Sequence, residues 1–189
     1  FQEEIYKNTN TNTNKEILNE NKDVIINPND EIIFAKFIAK FLHNNPNIDK
    51  VKLGEYIGKG KDFNKLILNE FINLFNFAEM RIDLALRNLL FSFQIPGEAQ
   101  IIDRILDFFS KKYIEDNKNT EINNFIFTTE AAYFVSYNII MLHTSLHNPK
   151  VHKKDKLSKD SFRRNIKGLN DGKDFNENIL NEIYDDIEK

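Results

Sequence analysis

The run from Thr129 to Leu146 constrains this chain more than any other. Ala132, Tyr133, Val135, Tyr137, Ile139, Ile140, Leu142 and Leu146 recur at helical spacing, and little polar surface is left between them. A helix that is apolar nearly all round belongs inside a protein rather than on it. We therefore expect it to be the central buried helix, capped by Thr128 or Thr129 and ended by Asn148-Pro149.

The rest of the sequence supplies helices to surround it. Asp30 is a plausible N-cap for a stripe of Ile32, Ile33, Phe34, Phe37, Ile38, Phe41 and Leu42, stopped by Asn44-Asn45-Pro46. Leu53 to Gly58 reads as a short helix or turn. Asp62 could cap a helix carrying Leu66, Ile67, Phe71, Leu74 and Phe75, with a break at Phe77. Ile82, Leu84, Ala85, Leu86, Leu89, Leu90 and Phe93 form another, which stops before Pro96. Ile101, Ile102, Ile105, Leu106, Phe108, Phe109 and Tyr113 give the buried face of a long helix, and residues 115–124 a polar loop. After a basic loop at 150–157, Ser158 caps a helix with Phe162 and Ile166. Gly168 and Gly172 bracket a turn, and Phe175 to Ile187 make a last amphipathic helix. Strand alternation is nowhere sustained and Gly and Pro are scarce, so the fold class is all-α, a layered helical array.

Composition removes several functions. The chain has 189 residues, enough for one domain with a sizeable core. A net charge of −3 disfavours non-specific nucleic-acid binding, which needs a basic footprint. The absence of cysteine excludes disulfides and thiolate metal sites. No apolar run approaches the ~18–20 residues that span a bilayer. Asparagine makes up roughly one residue in seven, above ordinary usage, and rises together with Lys and Ile as an A/T-rich coding sequence would produce. The Asn/Thr alternation at 8–14 cannot bury apolar area, so we divide the chain into an Asn-rich, insertion-like segment at 1–30 and a helical domain at 31–189, with a helix able to resume near Glu16. A chain that opens on Phe1 rather than Met reads as an excised part of something longer.

Several motifs could carry chemistry. Gly54-Glu55-Tyr56-Ile57-Gly58-Lys59-Gly60-Lys61 lacks the spacing and the preceding strand of a phosphate loop, and reads as a helix-ending turn. His143 and His147 lie four apart, but no Glu follows His143 and no cysteine completes a site, so no metal is expected. Asp103 is expected in a salt bridge that supports the fold, with Arg104 its neighbour. Lys150, His152, Lys153, Lys154 and Lys156 form a basic cluster: a solvated loop, or a contact for an acidic partner or a membrane surface. That leaves Glu98, behind Pro96 and Gly97. Proline presets one backbone angle, and glycine allows conformations that other residues resist. From local chemistry alone, Glu98 is either a carboxylate favoured by the helix dipole or one presented to a partner.

The run Ile95-Pro96-Gly97-Glu98-Ala99-Gln100, followed by Ile102-Asp103-Arg104, resembles the first signature of the Sec-seven domain of Arf-family guanine nucleotide exchange factors. Ile139 to Pro149 resembles the second. Leu53 to Gly58, Ile82 to Arg87, Phe162, Gly168-Leu169-Asn170 and Gly172 match in the same order, so the resemblance covers about residues 31–188. It implies an array of about ten helices with a hydrophobic groove between the central ones, which receives the switch regions of a small GTPase. It also implies a glutamic finger at Glu98. Gly97, Tyr137, Ile140, Met141, Thr144 and Asn148 would bind the partner, with Leu146 and His147 beside them.

The implied activity is release of GDP from an Arf-family GTPase, in support of vesicle transport. It needs no cofactor and makes no covalent bond. Its setting is the cytosolic face of Golgi or endosomal membranes, touched peripherally. Three positions depart from the family's frequent residues: Gln94 for Arg, Ile101 for Lys and His143 for Asn. Brefeldin A traps some members on their GTPase. Tyr137 matches the sensitive kind, Ser145 the resistant kind, and Asn138 and Leu157 neither. The alternative function is a helical scaffold that binds a GTPase or a partner helix without exchange. A hydrolase built on paired carboxylates would need a second acid facing Glu98, and the sequence offers no obvious one.

Overall fold

A computed structural model describes residues 27–121, 125–126 and 128–189. The Asn/Thr tract at 8–14 and the helix expected near Glu16 lie outside them. Eight α-helices are present among the described residues, which contain no strand beyond an isolated bridge between Asn170 and Lys173.

Local chemistry sets most helix ends. The first, α1 (Pro28–Asn44), is capped by Asn27 and not by Asp30, because Asn27 Oδ1 accepts from Asn29 N at 3.1 Å. Pro28 suits the first helical position, where its missing N–H would be unpaired anyway. Asp49 caps α2 (Lys50–Ile57) by accepting from the amides of Val51 and Lys52. Asp62, expected as a cap, is the first residue of α3 (Asp62–Ile72), and its carboxylate accepts from Lys65 Nζ at 2.9 Å instead.

The next two helices are α4 (Ile82–Ser92) and α5 (Ala99–Asn117). α5 runs into the stretch expected as a loop because Asn117 is buried. Its Nδ2 donates to the carbonyls of Phe77 and Tyr113, and its Oδ1 accepts from Glu79 N at 2.8 Å. These bonds shape the break between α3 and α4, where Glu79 has a left-handed φ of 61°. Thr128 Oγ1 caps α6 (Thr129–His147) through Ala131 N, and Ser158 caps α7 (Lys159–Asn165). Asn176 caps α8 (Glu177–Glu188), and Phe175 is buried just ahead of it.

Phenylalanine fills the core. Phe71, Phe77, Phe93 and Phe109 are buried, and Phe77 meets the edge of Phe109 at 5.2 Å. Edge-to-face pairs of this kind add to the burial of area. Arg81 joins two ends of the fold. It donates to the buried Asp83 carboxylate at 2.6 and 2.9 Å and reaches Glu182 and Asp186 on α8. Lys189 and Arg81 hold the Asp186 carboxyl down at about 2.

Two apolar stripes differ from expectation. On α1 the packed residues are Ala35, Ile38, Ala39 and Leu42, whereas Ile33 and Phe37 are 65 and 54 % exposed. On α6 only one side is buried, through Ala131, Ala132, Val135, Ser136, Ile139, Leu142 and Leu146. α6 packs on α4, α5, α7 and α8, and its remaining face stays open, with Tyr137 43 % and Met141 49 % exposed. The expectation of a helix buried all round is corrected: the same apolar composition serves a core on one side and a surface on the other.

Candidate functional site

The turn between α4 and α5 is anchored at its start. Phe93 is buried, and Gln94 N donates to Lys50 O at 3.0 Å. The chain then passes through Pro96 and Gly97 to Glu98, the N-cap residue of α5, with φ −80° and ψ 122°. Its carbonyl accepts from Ile101 N and Ile102 N at 3.0 and 3.1 Å. Its side chain makes no capping bond and is exposed. The Glu98 carboxylate has no hydrogen bond or ion pair with any described residue.

Gly97 is in neither a left-handed conformation nor a tight space. Its φ is negative or extended, and a Cβ added there would meet nothing within 4 Å. The conformational latitude of glycine is therefore not used at Gly97. Within this chain the site tolerates a side chain, and Gly97 is simply exposed beside Glu98.

The second part of the candidate site is the open face of α6. Tyr137, Ile140, Met141 and Thr144 fall on one side at helical spacing, and Asn148 closes the row as the C-cap. Tyr137, Met141 and Thr144 are exposed, while Ile140 and Asn148 are half-buried. Asn148 N donates to Thr144 O at 3.0 Å, and Asn148 Oδ1 accepts from Lys150 N at 2.9 Å. Asn148 thus has a local duty besides any contact it offers.

Tyr133 and Asp103 link the two parts. The Tyr133 hydroxyl on α6 donates to the Asp103 carboxylate on α5. The Tyr133 ring stacks with Tyr137 at 6.4 Å. Burial first, and the bond to Asp103 second, push the Tyr133 phenol up to about 12, so the donor stays protonated. The salt bridge expected of Asp103 is absent among the described residues. Its partner is a tyrosine, and Arg104 instead reaches back to the Gly58 carbonyl.

His143 lies on the same helix, with its ring 4.8 Å from that of His147. Burial, then His147 and Arg87, push its imidazole below the usual range. A ring nitrogen of His147 meets the Ile187 carbonyl, which occupies that face of the pair. No group of three potential metal ligands occurs among the described residues. The basic loop is partly structural: Lys156 Nζ donates to Leu146 O at 2.6 Å, and Leu157 N to Ser145 Oγ at 2.7 Å. No helix among the described residues is long and apolar enough to cross a membrane.

Sequence reasoning passed over Tyr133 as part of the site, although its place one turn before Tyr137 puts it on the same face. Of the two readings of Leu53 to Gly58, a short helix or a turn, the structure shows the helix, with Gly58 as its C-cap. Gly54 is inside α2, buried, and against the Gln94 carbonyl.

A family model described as the Sec7 domain matches residues 2–189. The "ADP-ribosylation factor guanine nucleotide-exchange factor sec72" of Schizosaccharomyces pombe is 40 % identical over 173 residues, covering 92 % of this chain and 9 % of that protein. The chain therefore spans only a small part of this curated relative. Among solved structures, the crystal structure of the Sec7p catalytic domain superposes with a TM-score of 0.74 at 32 % identity, covering 85 % of this chain and 82 % of that one. The structure of ARF1-GDP bound to a Sec7 domain complexed with brefeldin A matches with a TM-score of 0.73 at 37 % identity, covering 82 % of this chain and 74 % of that one. With the family model matched along nearly the whole sequence and the helical fold shared with solved members, this chain belongs to the Sec7 domain family.

Proposed function

We propose that this chain is the exchange domain of a larger protein, that it releases GDP from an Arf-family small GTPase, and that Glu98 is the group that displaces the nucleotide. The relative named above is called a nucleotide-exchange factor for the ADP-ribosylation factor, and a similar Sec7 domain has been solved with ARF1-GDP. The observation that carries the reading is the Glu98 carboxylate: exposed at a helix start, yet bonded to nothing described. A carboxylate kept only for capping would bond the first amides of α5.

The open face of α6 supplies the docking energy. Tyr137, Ile140 and Met141 offer apolar area, and the flexible Met141 suits a partner surface that changes shape. A groove that fits the opened form of the switch segments better than the closed form shifts the population toward the opened form. Docking then brings Glu98 toward the β-phosphate of GDP. Negative charge at short range in a partly dry site repels that phosphate strongly. Glu98 also competes for the magnesium ion and lysine with which the GTPase holds the nucleotide. Each ~1.4 kcal/mol of destabilisation weakens GDP tenfold, so several kcal/mol suffice for release. No covalent bond changes. The setting this reading implies is a membrane-apposed step in vesicle transport, at the cytosolic face of the Golgi or of endosomes.

The test is fluorescent-nucleotide release from a panel of small GTPases, with and without the domain. Acceleration confined to Arf-family members supports the reading. Binding to one of them with no acceleration indicates the scaffold alternative instead.

A further inference from the structure

We propose that α2 is a positioning element for the Glu98 turn and that Gly54 is the residue that seats the turn on it. This rests on the exchange reading of Glu98 given above.

The short helix α2 and the residues that end it, Gly58 to Gly60, touch the chain on both sides of Glu98. Ahead of it, Gln94 N donates to Lys50 O at 3.0 Å, and Lys50 Nζ donates to Phe91 O at 2.6 Å while lying 4.1 Å above the Phe91 ring. A Cβ built on Gly54 would overlap the Gln94 carbonyl oxygen outright, and would lie 3.0 Å from the Gln94 carbonyl carbon and 3.3 Å from Pro96 Cδ. The backbone of the turn therefore rests directly on the backbone of the helix. After Glu98, a Cβ on Gly58 would stand 2.5 Å from Ile101 Cγ2, and one on Gly60 would stand 2.9 Å from Arg104 Nη2. Arg104 donates to the Gly58 carbonyl.

Glycine is a poor choice inside a helix, where alanine is favoured. Here it is explained by the close approach of a second backbone. The contacts fix the chain at Gln94 and Pro96 before Glu98, and at Ile101 and Arg104 after it. Glu98 has no contact of its own to hold it. Its aim is set by the two ends of the turn: the end before it sits on α2, and the end after it sits on Gly58, the C-cap of α2, and on Gly60 just beyond. A charge that acts by proximity loses its effect steeply with small misplacements, and supporting shells that lock such groups are as necessary as the groups themselves. Gly54, Gly58 and Lys50 are thus positioning residues that act through Glu98.

The experiment is a double-mutant cycle on the domain with an Arf-family GTPase. Gly54→Ala and Lys50→Met are each made in the parent and in a Glu98→Ala background, and the kcat and KM of nucleotide release are measured separately. Lys50 is exposed, so Lys50→Met keeps the test valid if Gly54→Ala does not fold. The expected result is a kcat about tenfold lower for Gly54→Ala and about threefold lower for Lys50→Met, with KM unchanged and both effects lost in the Glu98→Ala background. Equal losses with and without Glu98, or a loss confined to KM, would overturn the positioning role while leaving Glu98 in place. A Glu98→Ala domain as active as the parent would overturn the exchange reading of the turn, and the positioning role with it.

Discussion

The Tyr133 hydroxyl donates to the Asp103 carboxylate, so a single side-chain bond ties the open face of α6 to the start of α5. Glu98 is the N-cap residue of that same α5, with a side chain that makes no capping bond. The bond therefore couples the surface that would dock a partner to the turn that would act on it. Tyr133→Phe keeps the ring and its stacking on Tyr137 and removes only the donor. A hydrogen bond to a charged carboxylate contributes roughly 1.5–3 kcal/mol, a cost the buried core can absorb, so the fold survives. Nucleotide release should slow severalfold, because the two parts of the site lose their registration. Circular dichroism with a release assay checks both outcomes. Because the Tyr133 phenol is pushed up to about 12, the parent bond should not titrate near neutral pH.

His143 gives a pH dependence with a definite sign. Burial, His147 and Arg87 disfavour its charged form in the folded state. The unfolded chain then binds more protons than the folded one below the ordinary value of 6.5. Stability should fall on acidification through and below that value and be fully present above it. Thermal melts across that range should show the slope in the parent and a flatter profile in His143→Gln.

Met141 and Asn148 were read from sequence as one kind of residue, and the structure separates them. Met141 is 49 % exposed, so Met141→Ala should leave stability within ~0.5 kcal/mol. Losing its contact with a partner should raise KM for the GTPase roughly tenfold. Asn148→Ala also removes the acceptor for Lys150 N, so it should lower the melting temperature as well as weaken binding. Differential scanning calorimetry beside titration binding distinguishes the two.

The core offers a stability test independent of function. Phe109 is fully buried and packs against Phe77 and Tyr113. Phe109→Ala should cost about 3–5 kcal/mol, measured by urea unfolding.

Much of this was legible in the sequence, for physical reasons. Helical spacing in α3, α5 and α6 follows from burial, and the all-α class from the lack of alternation. Ser158, and Thr128 as one of two adjacent candidates with Thr129, were legible as caps because a short side-chain oxygen before an apolar run leaves few alternatives. Asp30 and Asp62 misled because acids favour the first turn as well as the cap. Ile33 and Phe37 misled because composition alone cannot say which of two apolar stripes meets a neighbour. The family was legible through the two signatures, and the candidate site is proposed from them, but Tyr133–Asp103 and Gly54–Gln94 were not legible. Both join residues far apart in sequence, and only the fold brings them together.

The central claim is that the charge of Glu98 expels the nucleotide. Its most direct test is the rate of GDP release from an Arf-family GTPase with Glu98→Lys, beside a binding measurement on the same proteins. The account predicts that the variant still binds the GDP-bound GTPase and holds its nucleotide, because a positive charge attracts the phosphates and so reverses the effect. Release by Glu98→Lys at the parent rate would contradict it.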